Sequence, residues 1–262
     1  MYPAAMAFAG YGGYMLPDTI YVYDRENVNV DSLGRTFIIV DNDTLHTSFI
    51  PRPELLNEHS GPLTEDDISE IARQLDIETA TVKAIVDVET GRTRRGINTQ
   101  GFPLINFDQV VFKRAAARRG INLAGHAGSE ALNPVNIRKY GSQQLAQKAR
   151  LDAAMAIDSV AAMESTFWGM FQVGGFNWAL SGAASRQEFM EMMGRSEYDQ
   201  LLLFANYIRN TGLLRHLKNK NWAAFARIYN GPSYASRGYH TRLAAAYRRH
   251  KQKESAKEST KK

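Results

Sequence analysis

Cysteine is absent from all 262 residues of the chain. This absence excludes a disulfide framework, zinc sites built on Cys ligands and a Cys nucleophile. No run of residues approaches the roughly 20 consecutive apolar positions of a membrane-spanning helix, so we expect no membrane span. The first sixteen residues are mostly small and apolar. They lack the positive charge that begins a secretory signal, so no signal peptide is predicted.

Histidine is scarce and scattered. The six histidines form neither an H-E-x-x-H motif nor a close pair, which argues against a zinc amidase or endopeptidase. The sequence also has no Walker loop, no dinucleotide-binding fingerprint and no G-x-S-x-G elbow of a serine hydrolase. We therefore expect neither a metal site nor a cofactor.

The positive charge is concentrated at the C-terminus. The net charge is +5, and residues 248–262 contain seven Lys or Arg against two Glu, so the rest of the chain is close to neutral. We interpret residues 249–262 as a basic, disordered tail. Such a tail could attract anionic cell-surface polymers through screened electrostatics. We expect no nucleic-acid partner, and we expect a monomer.

The N-terminal sixty residues differ in pattern from the rest. Residues 19–24 (T-I-Y-V-Y-D) and Thr36–Val40 are rich in β-branched and aromatic side chains, and a D-N-D turn precedes T-L-H-T-S-F-I at 44–50. These runs predict two or three short strands with a β-hairpin. Pro51, Pro53 and the polar run at 57–62 indicate a linker. Residues 1–60 are thus predicted to be a small strand-rich segment, whose role the sequence does not identify.

From Thr64 onward the apolar period changes from two to 3.6. Thr64 with Asp67 resembles an N-cap with an acidic third position, followed by an apolar stripe. Further helices are predicted at 79–90, 108–119, 142–163 and 239–250, and others begin after the capping residues Ser185, Ser196 and Asn221. With 44% hydrophobic residues, the chain can bury a sizeable core. Residues 63–248 therefore read as one mainly α-helical domain.

One helix places a carboxylate where an apolar residue is expected. In T-A-T-V-K-A-I-V-D-V-E-T-G (79–91), Val82, Ile85, Val86 and Glu89 lie at i, i+3, i+4 and i+7. Gly91 is predicted to stop the helix, which leaves Glu89 in the last turn beside the negative end of the helix dipole. Apolar neighbours and that dipole both disfavour the ionised form, so the pKa of Glu89 should rise.

A carboxylic acid that stays protonated near neutral pH can protonate a leaving oxygen, as glycoside cleavage requires. The alternative is a Glu at the border of the core that reaches solvent or forms an ion pair with Arg92, Arg94 or Arg95. The helix alone does not decide between these two interpretations.

Four ordered segments accompany Glu89. They are V-D-V-E-T-G (86–91), G-F-P-L-I-N-F-D (101–108), S-T-F-W-G-M-F-Q-V-G-G-F-N (165–177) and W-A-A-F-A-R-I-Y-N-G-P-S-Y (222–234). Together they resemble the N-acetylmuramidase family of phage endolysins, single-glutamate lysozymes that cut peptidoglycan between N-acetylmuramic acid and N-acetylglucosamine. The resemblance covers residues 63–248. It implies a lysozyme-like helical catalytic domain with Glu89 as the catalytic acid.

The chain departs from the family pattern at two positions. It has Asp108 where the family usually has Glu, and Phe167 where the family generally has a small residue. Asp108 lies at a predicted helix start, where the positive dipole end favours an ionised carboxylate. It is our candidate general base, in an inverting mechanism if it faces Glu89 across a water-sized gap. Its alternative role is an N-cap, and Glu164 is the reserve candidate.

Glycan binding needs aromatic surfaces and polar groups for acetamido substituents. Trp168 and Tyr229 lie in the resembled motifs near glycines, so we predict that both line the cleft. Gln172 and Asn230 carry amides that can donate and accept, although Asn230 followed by Gly-Pro could be a turn residue. The full set of predicted substrate-binding residues is Phe107, Trp168, Gln172, Tyr229, Asn230 and Tyr234.

The expected activity is hydrolysis of peptidoglycan glycan strands. As a phage protein it would remain in the host cytoplasm until release to the cell wall, or it would be carried in the virion. One alternative is a lytic transglycosylase, in which the muramic acid 6-hydroxyl displaces the bond and Asp108 has no catalytic task. Another is a non-catalytic wall-binding or virion structural protein.

Overall fold

A computed structural model describes residues 28–30, 36–40, 43–46, 61–91, 95–98 and 101–260. This part of the chain is mostly helical, as the sequence predicted. The strands are β1 (Val28–Val30), β2 (Thr36–Val40), β3 (Asp43–His46), β4 (Ile105–Phe107), β5 (Thr166–Trp168) and β6 (Val173–Gly174). The helices are α1 (Glu65–Leu75), α2 (Thr79–Thr90), α3 (Gln109–Arg118), α4 (Ile137–Tyr140), α5 (Gln143–Ile157), α6 (Ser159–Glu164), α7 (Arg186–Arg195), α8 (Glu197–Asn210), α9 (Leu214–Lys218), α10 (Trp222–Asn230) and α11 (Tyr239–Thr260).

The N-terminal strands form an antiparallel sheet in the order β1-β2-β3. Ile38 of β2 lies opposite Val28 on one side and Leu45 on the other. The predicted strand Thr36–Val40 is confirmed, and β3 lies within the run predicted at 44–50 apart from its first residue. Strand β1 was not predicted. The strand predicted at 19–24, Pro51 and Pro53 lie outside the described residues.

Local capping signals set where several helices begin. The Thr64 side chain accepts from the Asp67 N–H, and the Asp67 carboxylate accepts from the Thr64 N–H at 2.8 Å, which completes a capping box before α1. The Ser185 and Ser196 side chains each accept from the N–H three residues later, at the starts of α7 and α8. These starts agree with the sequence because a cap requires only residues three apart.

Helix α8 runs through the centre of the core. Every residue of α8 except Arg209 is buried. A helix buried on all sides is usually apolar all round. In α8 the buried polar residues Glu197 and Gln200 instead make hydrogen bonds to surrounding loops, which offsets the cost of removing them from water.

A second antiparallel sheet, in the order β4-β5-β6, joins two of the four resembled segments. Ile105 lies opposite Trp168, and Trp168 lies opposite Val173. Helix α5 borders β4: Gln144 exchanges two hydrogen bonds of 3.0 Å with the backbone of Ile105, and Arg150 donates to the Phe107 carbonyl at 3.2 Å. The sequence did not predict this sheet.

The predicted disordered tail is contradicted by α11, which continues through Thr260. Basic residues of α11 pair with acidic residues of α2 and with Glu78, the N-cap of α2. Lys251 lies 2.8 Å from Glu78, and His250 lies 2.7 Å from Asp87. The Lys- and Glu-rich composition suggests disorder when it is considered alone, but packing along α2 supplies partners for these charges. That anionic polymers bind here stays a prediction.

No helix in the described part of the chain is both long enough and apolar enough to cross a bilayer.

Candidate active site

Glu89 lies in the last turn of α2, as predicted, and is fully buried. The helix ends at Thr90, and Gly91 adopts φ +57°, a backbone conformation that favours glycine. Neighbouring positions Ile85 and Val86 are also buried. The carboxyl at the end of this helix is therefore shielded from water. The alternative of a Glu that reaches solvent is excluded for this conformation.

Burial raises the pKa of Glu89 to about 8, against smaller lowering effects of the Tyr239 hydroxyl and the Arg242 guanidinium. The predicted rise is thus confirmed, with loss of hydration as its main cause. At neutral pH most of this carboxyl is protonated, so it is able to donate a proton.

The two oxygens of Glu89 have different surroundings. Oε1 accepts a hydrogen bond from the Tyr239 hydroxyl at the start of α11. Oε2 is buried and has no hydrogen-bond partner among the described residues. Unpaired polar atoms are costly inside proteins. Oε2 is therefore the oxygen that remains available for a substrate.

Two amide side chains of the resembled segments also keep atoms without a partner among the described residues. Gln172 is buried with φ +50°, and its Nε2 donates to the Gly169 carbonyl at 2.8 Å, while its Oε1 has no partner in the described part of the chain. Asn230 ends α10 beside the Tyr239 hydroxyl. Neither amide atom of Asn230 makes a well-aligned hydrogen bond to a described residue. Both amides can therefore pair with an acetamido group.

Tyr229 was predicted to line the cleft, but its ring lies in an aromatic cluster. The ring centroid is 5.4 Å from that of Phe225 and 5.6 Å from that of Phe204. Its hydroxyl donates to the Phe171 carbonyl at 2.5 Å. Burial is the main cause of the raised pKa of Tyr229, and the nearby Glu89 raises it further. Tyr229 thus supports the backbone next to Gln172. The residue is partly exposed, and sugar binding by Tyr229 stays a prediction.

Phe107 requires a correction. Its ring is 1% exposed and packs against Phe112, with the Arg150 guanidinium 5.2 Å from its centroid. A ring covered in this way cannot stack on a sugar. Tyr234, in contrast, is half-buried, and its ring stands edge-on to His240 at 5.2 Å. Sugar binding by Tyr234 stays a prediction.

Trp168 lies at a groove of about 490 Å³. The indole is 5% exposed, and its Nε1 donates to the Met163 carbonyl at 3.1 Å. Phe102 and Leu145, which are 48% and 43% exposed, line the same groove. The groove thus combines aromatic and aliphatic surface at the strand that leads to Gln172. Sugar binding by Trp168 in this groove stays a prediction.

Asp108 is the N-cap of α3, the structural alternative considered from the sequence. Its Oδ1 accepts from the Val110 and Val111 N–H groups at 2.8 and 3.0 Å. Among the described residues, the charges and hydrogen bonds that shift the pKa of Glu89 come from Tyr239 and Arg242, and Asp108 is not one of them. A second role for Asp108 as a base stays a prediction.

Glu164, the reserve carboxylate, forms an ion pair. Its Oε1 lies 2.5 Å from Arg186 Nη2, and the Arg186 guanidinium lies over the Trp178 ring at 5.2 Å. Among the described residues there is also no group of three or more acidic or His side chains that could hold a metal ion. Glu89 is therefore the carboxyl with surroundings suited to acid catalysis.

The sequence did not indicate Tyr239 or Arg242 as site residues. Tyr239 lies 150 positions from Glu89 and outside the four resembled segments. Its only local signal was its place at the start of the last predicted helix. The contact arises because α11 packs along α2.

Replacing Tyr239 by Phe should raise the pKa of Glu89 further, because the hydroxyl hydrogen bond favours the ionised carboxylate. Loss of a hydrogen bond to a charged group corresponds to about one pH unit. We therefore expect the alkaline limb of kcat/KM on glycan strands to move upward by that amount. Tyr247→Phe is the matched control, because its hydroxyl donates to Glu78 at the other end of α2. A limb that stays in place or moves downward would contradict this role of Tyr239.

Known proteins that are similar to this chain indicate its family. The model of the N-acetylmuramidase family matches residues 78–251. The crystal structure of the Burkholderia AP3 phage endolysin is similar with a TM-score of 0.63 and 32% sequence identity, over 72% of this chain and 71% of that chain. No curated protein matches. The chain therefore belongs to the N-acetylmuramidase family of peptidoglycan-hydrolysing enzymes.

Proposed function

We propose that this enzyme cleaves the β-1,4 bond between N-acetylmuramic acid and N-acetylglucosamine, with Glu89 as the general acid. The observation that carries the proposal is a fully buried carboxyl with a pKa of about 8, one oxygen of which has no partner among the described residues. Such a group is protonated at neutral pH and can protonate the glycosidic oxygen as the bond breaks. Because Glu89 is covered in the free protein, glycan binding must displace the groups that cover it.

The surrounding residues support this chemistry. After proton transfer, the Glu89 carboxylate keeps the hydrogen bond from Tyr239 and the attraction of Arg242. Gln172 and Asn230 provide amides for acetamido groups. The groove beside Trp168 provides apolar surface for sugar rings. The solved neighbour is named as a phage endolysin, and we propose the same setting here, with access to the wall from the host cytoplasm or from a virion.

A lytic transglycosylase is the second candidate, and one observation favours it. Asp108 is engaged as an N-cap and Glu164 in an ion pair, so neither is seen acting on Glu89. Attack by the muramic acid 6-hydroxyl does not need a second carboxylate, because Glu89 itself can accept that proton after donating its own. Hydrolysis by inversion would need one.

Mass spectrometry of the fragments released from purified peptidoglycan separates the two reactions. We expect reducing muramic acid ends from the wild-type enzyme. Anhydro-muramic ends would instead identify the enzyme as a lytic transglycosylase. Fragments with another reducing sugar would contradict the proposed bond.

Asp108→Asn tests the second carboxylate in the same assay. Asn caps helices as well as Asp, so the variant keeps the N-cap and removes only the charge. If Asp108 is the base, the rate should fall by roughly 10²- to 10⁴-fold at unchanged stability. A rate within about threefold of wild type would assign Asp108 to capping alone.

A further inference from the structure

Two polar residues of α8, Glu197 and Gln200, are completely buried. They lie three positions apart and therefore on the same side of the helix. Both side chains point at backbone groups of the loops that flank the candidate site. These loops are residues 95–98, which follow the Glu89 helix, and residues 169–172, which end at Gln172.

The Gln200 amide joins the two loops directly. Its Nε2 donates to the Gly96 carbonyl at 3.2 Å and to the Met193 carbonyl at 2.7 Å. Its Oε1 accepts from the Met170 N–H at 2.8 Å. One side chain thus uses both donors and an acceptor to connect α7, the 95–98 loop and the 169–172 loop.

Both loops lie against this amide so closely that they need glycine. A Cβ atom at Gly96 or at Gly169 would overlap the Gln200 amide oxygen. Gly169 also has φ +72°, which favours glycine independently. The position of each loop is therefore defined by contact with Gln200, and not only by its own turn geometry.

Glu197 completes the attachment of the 95–98 loop. Its Oε1 accepts from the Gly96 N–H at 2.8 Å and from Arg95 Nε at 3.1 Å, and its Oε2 accepts from the Leu63 N–H at 2.9 Å. Both backbone groups of Gly96 are thus bonded to α8. Helix α8 acts as a rigid support for the segment that follows the Glu89 helix.

We infer that Gln200 is a positioning residue for glycan cleavage: it fixes the 169–172 loop, and with it Gln172, relative to the segment that follows Glu89. The inference rests on the proposed function. Gln172 has an unusual φ of +50°, and its unpaired Oε1 depends on the shape of this loop. Small displacements of a substrate-binding group lower catalytic rates even when the group itself is unchanged.

Gln200→Met tests the inference, because Met has a similar length but cannot make the three hydrogen bonds. With soluble glycan chains freed from stem peptides by an amidase, we expect kcat to fall about 10²-fold. KM should change by less than about threefold, because all residues lining the groove beside Trp168 except Asn98 lie outside the two loops. The assay counts new reducing or anhydro ends at a temperature where circular dichroism shows a folded protein.

Asn210→Leu is the matched control. Asn210 lies on the same helix, is equally buried and donates to the Leu180 carbonyl at 2.8 Å, about 15 Å along the helix from Gln200. We expect it to lower the unfolding temperature as much as Gln200→Met does but to keep kcat within about threefold of wild type. An equal loss of kcat in the two variants, or no loss in Gln200→Met, overturns the inference.

Gln200→Glu is the alternative test of the inference if Gln200→Met does not fold. The Glu side chain keeps an acceptor for Met170, but only its protonated form can donate to Gly96 or Met193. Its kcat relative to wild type should therefore rise as pH falls, and a constant ratio overturns the inference. A folded wild-type enzyme that releases no fragments would instead contradict the proposed function, so the two failures are distinguishable.

Discussion

Glu89→Gln is expected to lower glycan cleavage by on the order of 10³-fold or more, because an amide cannot deliver the proton that the leaving oxygen needs. The change preserves the shape of the side chain and an oxygen that can accept from Tyr239. The fold should therefore be retained. The measurement is the rate at which new sugar ends appear when purified peptidoglycan is incubated with each protein.

The matched control is Asp87→Asn, which makes the same chemical change two residues earlier on α2. Asp87 pairs with His250 and Arg249 on the outer side of α11, so we expect activity within about threefold of wild type. If Glu89→Gln kept more than a tenth of the activity, Glu89 would not be the general acid. The unpaired Oε2 would then need another explanation.

Glu89→Gln should also stabilise the protein at neutral pH. The pKa of Glu89 is raised by burial from 4.5 to about 8, so the folded state holds a proton that the unfolded state releases. Below pH 4.5 both states are protonated and the group has no effect. As pH rises from 4.5 to 8, ionisation lowers the free energy of the unfolded state but not that of the folded state, so stability is lost.

Between pH 4.5 and pH 7 this loss amounts to about 3 kcal/mol. Gln does not ionise, so the unfolding free energy of Glu89→Gln relative to wild type should increase by that amount over this interval. Urea unfolding at the two pH values measures it. A gain in stability on removing an active-site group is expected where function requires a buried ionisable residue.

Glu78→Gln is a control of opposite sign on the N-cap of the same helix. Lys251 and Tyr247 lower the pKa of Glu78 to about 2, so this carboxylate stabilises the fold above pH 4.5, and the effect fades as pH falls. Its replacement should therefore cost more stability at pH 7 than at pH 3. If the unfolding free energies of Glu89→Gln and Glu78→Gln changed with pH in the same direction, the conclusion that burial raises the pKa of Glu89 would be wrong.

Local features of the fold could be read from the sequence. The cap formed by Thr64 and Asp67, the N-cap at Asp108 and the stop at Gly91 each depend on residues within four positions of one another. The apolar spacing around Glu89 also indicated a buried carboxyl with a raised pKa. Resemblance in four segments then supplied the family and the order of the site motifs.

Other features depended on contacts between distant parts of the chain. Tyr239 reaches Glu89 across 150 positions, and Gln200 reaches Gly96 across 104. Phe107 looked like a sugar platform, but its strand pairs with β5 and turns the ring into the core. Residues 249–262 were predicted to be disordered, but α11 continues through Thr260, and His250 and Lys251 pair with Asp87 and Glu78.

The difference between these local features and the long-range contacts has a physical reason. Helix period, caps and glycine stops are properties of a few consecutive residues, so the sequence by itself determined the mainly helical fold and the carboxyl at the end of α2. Which polar groups pair inside the core depends on which helices and loops pack together. Only the tertiary structure therefore decided that Tyr239 contacts Glu89, that Oε2 stays unpaired, and that α8 supports the loops on either side of the site.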